Sequence, residues 1–309
     1  MRVKAGVVGV GAIGRNHARI YAELENVDLV AIHDANLEHA RAVADQFGTE
    51  AVATLEELVE RVDVASVATP TVTHREVATL LLSARKHVLV EKPIADSVDD
   101  AKAMIDLAAA QGCVLQVGHI ERFNPVMSRL EEALDSPRFI ECHRLSPFPQ
   151  RSLDIGVVLD LMIHDLEIVL HLVNSPVDSV DAVGIPVLTR REDIANARIR
   201  FENGCVANIT ASRISPERMR KIRVFQGNAY LSLDYQDQSG WIYRRDGMEI
   251  KREEVQVEKD EPLKCELAAF VECAAKGEQP KVSGLHGAAA LDVALEITRL
   301  IEDQNSASA

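Results

Sequence analysis

The chain is predicted to be α/β, with an N-terminal doubly wound parallel sheet of the Rossmann type over residues 1–120 and a C-terminal α+β half over 121–309 built on an open, largely antiparallel sheet. Three observations predict this. Short β-branched runs alternate with stretches of helical period up to about residue 120. Those runs are apolar on both faces, the mark of parallel strands covered from two sides. Beyond residue 120, helix-period segments give way to strand-like runs separated by turn signals such as Glu202-Asn203-Gly204, which is the grammar of antiparallel hairpins.

In order, strands are expected at Val3 to Val10, Leu29 to His33, Val62 to Ala68, Val88 to Val90 and Val114 to Val117. Helices are expected between them at Arg15 to Glu25, Leu37 to Phe47, Leu55 to Val59, His74 to Ala84 and Val98 to Ala110. In the second half, helices at Pro125 to Ala133 and Ile155 to Leu172 precede strands at Val180 to Val187, Ala195 to Phe201, Cys205 to Ala211, Lys221 to Gln226 and Tyr230 to Tyr235. Helices at Leu263 to Ala275 and Gly287 to Glu302 close the chain, and Asn305 to Ala309 reads as a frayed tail.

Composition narrows the function classes. With 34 basic against 48 acidic residues the net charge is −14, so the chain repels polyanions and a general nucleic-acid binder is excluded. The basic cluster Arg213, Arg218, Arg220, Lys221 and Arg223 lacks aromatic stacking platforms and reads as strand-edge or subunit-interface charge. No apolar run approaches the ~18 residues of a membrane helix, and the glycine-broken start reads as a strand instead of a signal peptide. Five scattered cysteines without a CxxC pair suggest neither a disulfide framework nor a zinc site, which fits a reducing cytoplasm.

The first strand ends in Gly9-Val10-Gly11-Ala12-Ile13-Gly14, a GxGxxG that runs straight into a helix. In such a turn the first glycine permits the sharp bend, the second lets backbone approach a pyrophosphate, and the third allows close helix–strand packing; the helix N-terminus stabilises the negative charge. Asp34 closes the second strand, 20 residues after Gly14, where a carboxylate hydrogen-bonds the adenosine ribose hydroxyls. Ala35 and Asn36 offer no cation for a 2′-phosphate, so NAD is expected over NADP; Asp34 is also placed to cap the following helix. Thr69 and Pro70 end another strand at its carboxyl edge and are expected to wall the cofactor; His74 reads equally as a cofactor neighbour or a helix-start residue.

Val88-Leu89-Val90 leads into Glu91-Lys92-Pro93, which puts a lysine at the carboxyl end of a buried strand. An ammonium there is retained if paired or useful, and desolvation can bring its pKa toward neutrality for acid/base work. Together, the GxGxxG with His17 soon after, the Glu91-Lys92-Pro93 turn, and Gly118-His119 before Arg122-Phe123-Asn124-Pro125 resemble the glucose-fructose oxidoreductase / inositol dehydrogenase (Gfo/Idh/MocA) family along nearly the whole chain. The family's second signature, Asp-x-x-x-His, is matched by Asp160-Leu161-Met162-Ile163-His164, whose spacing sets both side chains on one helical face.

The resemblance implies hydride transfer between nicotinamide and a secondary alcohol carbon. His164 would take the hydroxyl proton, Lys92 would hydrogen-bond the oxygen and share the acid/base work, and Asp160 would orient the group; Lys92 and His164 both stand as the base. Glu91 and Lys92 would also border the cofactor. The stretch from Arg144 through Arg151 to Asp165 resembles a subgroup acting on nucleotide sugars, at the 3-hydroxyl of UDP-N-acetylglucosamine or its uronic acid, which feeds an aminotransferase and lipid A or polysaccharide precursors. Arg122, Asn124, Arg144 and Arg151 are then the candidate substrate contacts, the arginines for the diphosphate. A free sugar or inositol-like polyol, and a non-catalytic NAD- and sugar-sensing protein, are the alternatives. A homo-dimer or homo-tetramer is implied by the resemblance.

Overall fold

The computed structural model describes residues 2–148 and 155–308. Contacts divide the chain into two compact units: Met1–Phe123 with Glu261–Ala288, and Asn124–Asp260 with Ala289–Ala309. The division at residue 120 is thus close to the first boundary, but residues 261–288 return to the first unit.

The first unit holds strands β1 (Val3–Val8), β2 (Val27–His33), β3 (Val64–Val67), β4 (His87–Glu91) and β5 (Leu115–Gly118), all parallel, in the order β2-β1-β3-β4-β5. Helices α1 (Ala12–Glu23), α2 (Leu37–Phe47), α3 (Leu55–Arg61), α4 (His74–Ser83) and α5 (Val98–Gln111) supply the crossovers. Caps match the sequence at several starts: Asn36, Thr54 and Ser97 each accept the N–H three residues on. Asn36, not Asp34, therefore caps α2. Val7, Val64, Val88, Val90 and Val117 are fully or almost fully buried, which accounts for the unbroken apolar runs.

The second unit carries α6 (Pro125–Ala133), β6 (Pro137–Leu145), a π-helical turn over Val158–Met162, α7 (Ile163–Val173), then β7 (Val177–Ile185), β8 (Ile194–Phe201), β9 (Val206–Ser212), β10 (Met219–Gln226), β11 (Ala229–Asp234), β12 (Ser239–Asp246) and β13 (Glu249–Glu254). Its eight-stranded sheet runs β13-β12-β11-β10-β6-β9-β8-β7 and is antiparallel except where β6 pairs β9 in parallel. One face packs Ile140, Ile209, Ile222, Val224 and Leu231 against Val126 and Leu130 of α6, Leu166 and Val169 of α7, and Ala294 and Ile297 of the last helix. The other face carries a ladder of Phe139, Phe225, Tyr230 and Tyr243, with ring centroids 5.5, 4.7 and 5.2 Å apart in turn.

Three strands, β6, β12 and β13, are absent from the expected set. β6 alternates buried Ile140, Cys142 and Arg144 with half-buried neighbours, so an arginine breaks its apolar period. The expected helix Ile155 to Leu172 is interrupted by the π turn. The last helix, α9, runs Gly284–Ser308, so the expected frayed tail at Asn305 is helical through Ser308. Arg213, expected to be strand-edge or subunit-interface charge, is fully buried.

Helix α8 (Pro262–Lys276) places Leu263, Leu267, Phe270 and Val271 in one apolar cluster with Ala18 and Tyr21 of α1. Phe270 is fully buried, so Phe270→Ala will cost about 3–5 kcal/mol in denaturant unfolding through lost transfer energy and cavity formation. A loss below 1 kcal/mol, on the scale of an exposed site, would contradict the placement of this late helix in the first unit's core.

Candidate active site

The glycine turn is fixed by contacts that exclude side chains. Gly9 has φ +82°, and a Cβ there would lie 2.8 Å from the Ala68 carbonyl oxygen; a Cβ on Gly14 would lie 1.8 Å from the Gly9 carbonyl oxygen. Around a Cβ built on Gly11, by contrast, no atom beyond the adjoining backbone and chain neighbours lies within 4 Å, so its outer side is open to a ligand. Gly11 is the N-cap of α1 and offers no side-chain acceptor, and the first turn has no acidic residue; Ala12 and Ile13 there are exposed. The helix start therefore keeps its N–H groups and its positive end for an anion.

Asp34 follows β2, its Oδ2 accepting from Val10 N–H at 2.9 Å and its Oδ1 from Asn36 N–H at 2.9 Å. It is half-buried, and a carboxylate accepts about four hydrogen bonds, so it retains acceptor capacity for ribose hydroxyls. The open side at Gly11, the uncapped helix start and this oriented carboxylate fit an NAD pyrophosphate and adenosine ribose.

Thr69 and Pro70 follow β3, half-buried and exposed respectively. The His74 ring is buried, with Nε2 2.9 Å from the Thr69 carbonyl and Nδ1 2.9 Å from the Pro93 carbonyl. Burial lowers its pKa against the opposing pull of those carbonyls. His74 thus ties the turn after β3 to the turn after β4, with both ring nitrogens directed to backbone.

Lys92 directly follows β4 and is half-buried; the Lys92–Pro93 peptide is cis. Its preceding neighbour Glu91 is held by buried His17 of α1, Nε2 to Oε1 at 3.0 Å. A Cβ on Gly118 would lie 2.9 Å from the Glu91 carboxyl carbon, so the glycine at the end of β5 makes room for this carboxylate. Nearby, His119 is buried and its pKa is pushed down to about 3, first by burial and then by the charges of Lys92, Arg122 and His286. Arg122 itself is buried, in the 3-10 turn Ile120–Phe123.

In the second unit, Asn124 caps α6: its Oδ1 accepts from Val126 N–H at 3.3 Å and its Nδ2 donates to the Tyr235 carbonyl at 2.9 Å. Asp160 lies within the π turn and His164 in the first turn of α7, both half-buried. The π geometry shows in Ile163 N–H reaching the Val158 carbonyl, five residues back. That changes the angle between Asp160 and His164 from the one an uninterrupted α-helix would give. Arg144 is neither a loop charge nor open to bulk solvent: it donates to Asp165 through Nε at 2.7 Å and Nη2 at 3.1 Å, with both side chains buried. Arg151 lies outside the described residues. Among the described residues there is no cluster of ligands fit for a metal, and no helix is long and apolar enough to cross a membrane.

Residues 3–119 match the oxidoreductase family with an NAD-binding Rossmann fold, GFO/IDH/MocA, and residues 131–231 match the GFO/IDH/MocA C-terminal domain. Across 98% of both chains, the sequence is 36% identical to the UDP-N-acetylglucosamine 3-dehydrogenase of Acidithiobacillus ferrooxidans. The chain belongs to the GFO/IDH/MocA family. A solved structure of the A. ferrooxidans enzyme superposes with a TM-score of 0.94 over 98% of this chain and 99% of that one. Myo-inositol 2-dehydrogenase of Thermotoga maritima is 28% identical over 98% of both chains. Levoglucosan dehydrogenase solved with NADH and L-sorbose, 19% identical, shares the fold at a TM-score of 0.90 over 98% of each chain. As a family member the chain is an NAD-dependent oxidoreductase.

The depressed pKa of His119 gives a test. An imidazole whose folded pKa lies below its unfolded value of about 6.5 contributes stability that is full above that pH and is lost as pH falls toward 3, at up to about 1.4 kcal/mol per pH unit. Urea unfolding between pH 7 and 4 will show this slope, and His119→Gln will flatten it. An unchanged slope in the variant would contradict a buried neutral ring.

Proposed function

We propose that the protein oxidises the 3-hydroxyl of UDP-N-acetylglucosamine, or of its uronic acid, to a ketone. The observation that carries the substrate is the 36% identity to the A. ferrooxidans enzyme over 98% of each chain, and the presence of Lys92, Asp160 and His164 supports chemistry over sensing. Bound NAD supplies the hydride acceptor that a side chain cannot. Gly9, Gly11, Ala12, Ile13 and Gly14 receive its pyrophosphate, Asp34 the ribose, and Thr69, Pro70, Glu91 and Lys92 border the remainder. His164 accepts the proton of the reacting hydroxyl, Lys92 donates a hydrogen bond to that oxygen as it becomes a carbonyl, and Asp160 orients the group. Arg151 is the cation for the diphosphate, since Arg122, like Arg144, is buried. His74, held between two backbone carbonyls, acts by fixing the turns around Lys92.

The ketone is then a substrate for amine transfer by a partner aminotransferase, and the protein works in the cytoplasm. Two copies pair through the sheet face bearing Phe139, Phe225, Tyr230 and Tyr243, whose aromatic ladder extends to the Arg252 guanidinium 3.2 Å over the Trp241 ring. Exposed Val183 and Ile185 continue that face toward the β7 edge. Sedimentation of the full chain will give at least a dimer, and Tyr243→Glu will weaken it; a monomeric parent would contradict the pairing.

The 28% identity to myo-inositol 2-dehydrogenase supports a second reading, a free polyol as substrate. Incubation with NAD and a panel of UDP-sugars, free hexoses and inositols, with a carbonyl trap present, separates the two. Reduced nicotinamide is expected to form with UDP-N-acetylglucosamine or its uronic acid. Formation only with a free polyol would install the second reading, and NAD binding without turnover would favour the sensor. Lys92→Met is expected to lower turnover by at least about a hundredfold while leaving NAD affinity within about twofold. Parental turnover would remove Lys92 from its role.

A further inference from the structure

The segment carrying Asp160 and His164 starts at a buried polar cluster that no part of the chemistry above uses. Arg213, at the end of β9 and fully buried, donates from Nε to Asp193 Oδ1 at 2.9 Å and from Nη2 to the Ile155 carbonyl at 2.8 Å, with longer contacts to the Glu192 carbonyl and Thr189 Oγ1 at 3.4 Å. Asp193 is also fully buried, and its Oδ2 accepts from the N–H groups of Val187, Leu188 and Thr189 at 2.9, 2.6 and 2.9 Å. Burial would raise its pKa, but the N–H groups of Leu188, Thr189 and Val187 and the Thr189 hydroxyl hold it well below the usual carboxylate range.

Glu192 transmits this anchor to the helix. Its carbonyl accepts from Val157 N–H at 3.0 Å and its Oε1 from Val158 N–H at 3.3 Å, so backbone and side chain satisfy two N–H groups where the helical run begins. The fit is tight: a Cβ on Gly156 would lie 1.8 Å from Glu192 Oε1. Asp160 N–H then returns to the Gly156 carbonyl at 3.1 Å, one turn beyond the anchor. On the far side, the residue after His164 is Asp165, locked by two charge-assisted hydrogen bonds to Arg144 of β6.

We propose that Glu192, anchored by the Arg213–Asp193 pair, and Arg144, acting through Asp165, are positioning residues that hold the π turn so that Asp160 and His164 keep one fixed relative angle. A π turn is a rare single-turn departure from α-helical geometry, so the hydrogen-bond shift that sets it depends on how its two ends are held. Holding both ends fixed keeps that shift in place, and an orientation error near 1 Å at a reacting group costs on the order of a hundredfold in rate. Arg144 thereby serves the site through the helix instead of through a substrate phosphate. The proposal rests on His164 being the proton acceptor and Asp160 the group that orients it.

The test uses the full chain with NAD and UDP-N-acetylglucosamine as probe, in Glu192→Ala, Glu192→Gln, His164→Ala and Glu192→Ala with His164→Ala. Glu192→Ala is expected to lower kcat at least about tenfold while KM stays within about threefold and NAD affinity within about twofold. Glu192→Gln, whose amide oxygen still accepts from Val158 N–H, is expected to recover to within about threefold of the parent. In the His164→Ala background, Glu192→Ala is expected to add less than about twofold, because its effect passes through the residue already removed. Gly156→Ala, whose methyl displaces the Glu192 carboxylate, reads the same point if Glu192→Ala does not fold, and is expected to match its kcat loss. A folded Glu192→Ala or Gly156→Ala with parental kcat, a Glu192→Gln as impaired as Glu192→Ala, or a full additional loss in the His164→Ala background would each overturn the clamp. Parental turnover by His164→Ala would overturn the role of His164 itself, and the clamp with it.

Discussion

The first unit depends on one backbone contact, the approach of α1 to the end of β1. A Gly14 side chain would have to pass within 1.8 Å of the Gly9 carbonyl oxygen, so helix and strand close only when that position is glycine. The contact aims the first N–H groups of α1 outward and brings the Val10 N–H to the Asp34 carboxylate. It also fixes where the rest of α1 lies, including buried His17 one turn on, and His17 holds Glu91. On the other side of Lys92, His74 holds Pro93. The lysine assigned to chemistry is therefore flanked by two residues fixed by buried imidazoles, one of them on the cofactor helix itself.

The second unit solves a comparable problem with charge. Burying guanidinium–carboxylate pairs adds little net stability, because desolvation offsets most of the attraction. What Arg213–Asp193 and Arg144–Asp165 supply is uniqueness of geometry: each planar guanidinium satisfies directional acceptors, and breaking either pair leaves an uncompensated buried charge. Placed on the two sides of a π turn, they fix an irregular backbone that propensity alone would not maintain. The polar cores of the two units thus do the same work, presenting a titratable side chain from a rigid frame.

Much of this was legible in the sequence for physical reasons. Parallel strands buried on both faces leave continuous apolar runs, and glycine turns, caps and prolines mark helix boundaries, so the strands and helices of residues 3–111 and α6 fall close to their expected limits, whereas the return of residues 261–288 to the first unit left no such mark. Asp34 and Lys92 could be singled out because each directly follows a buried strand, as it does in the structure, whereas Asp160 and His164 stood out through the family signature they match and not through burial or composition. Strand β6 was not, because Arg138, Glu141 and Arg144 interrupt its alternation and the partner that buries Arg144 is 21 residues away. The fully exposed β13 has no apolar face to reveal it. The π turn depends on a backbone hydrogen-bond shift that leaves no compositional trace. Arg213 read as strand-edge or subunit-interface charge because its partner Asp193 is distant in sequence and local to it only after folding.

In the proposed reaction, hydride leaves carbon 3 of a nucleotide-linked amino sugar for the nicotinamide of bound NAD. The most direct measurement is to supply UDP-N-acetylglucosamine deuterated at carbon 3 and determine the mass of the NADH formed. Deuterium is expected on the nicotinamide, with none transferred from substrate labelled at carbon 4. Transfer from another ring position, or unlabelled NADH from the carbon-3 substrate, would contradict it.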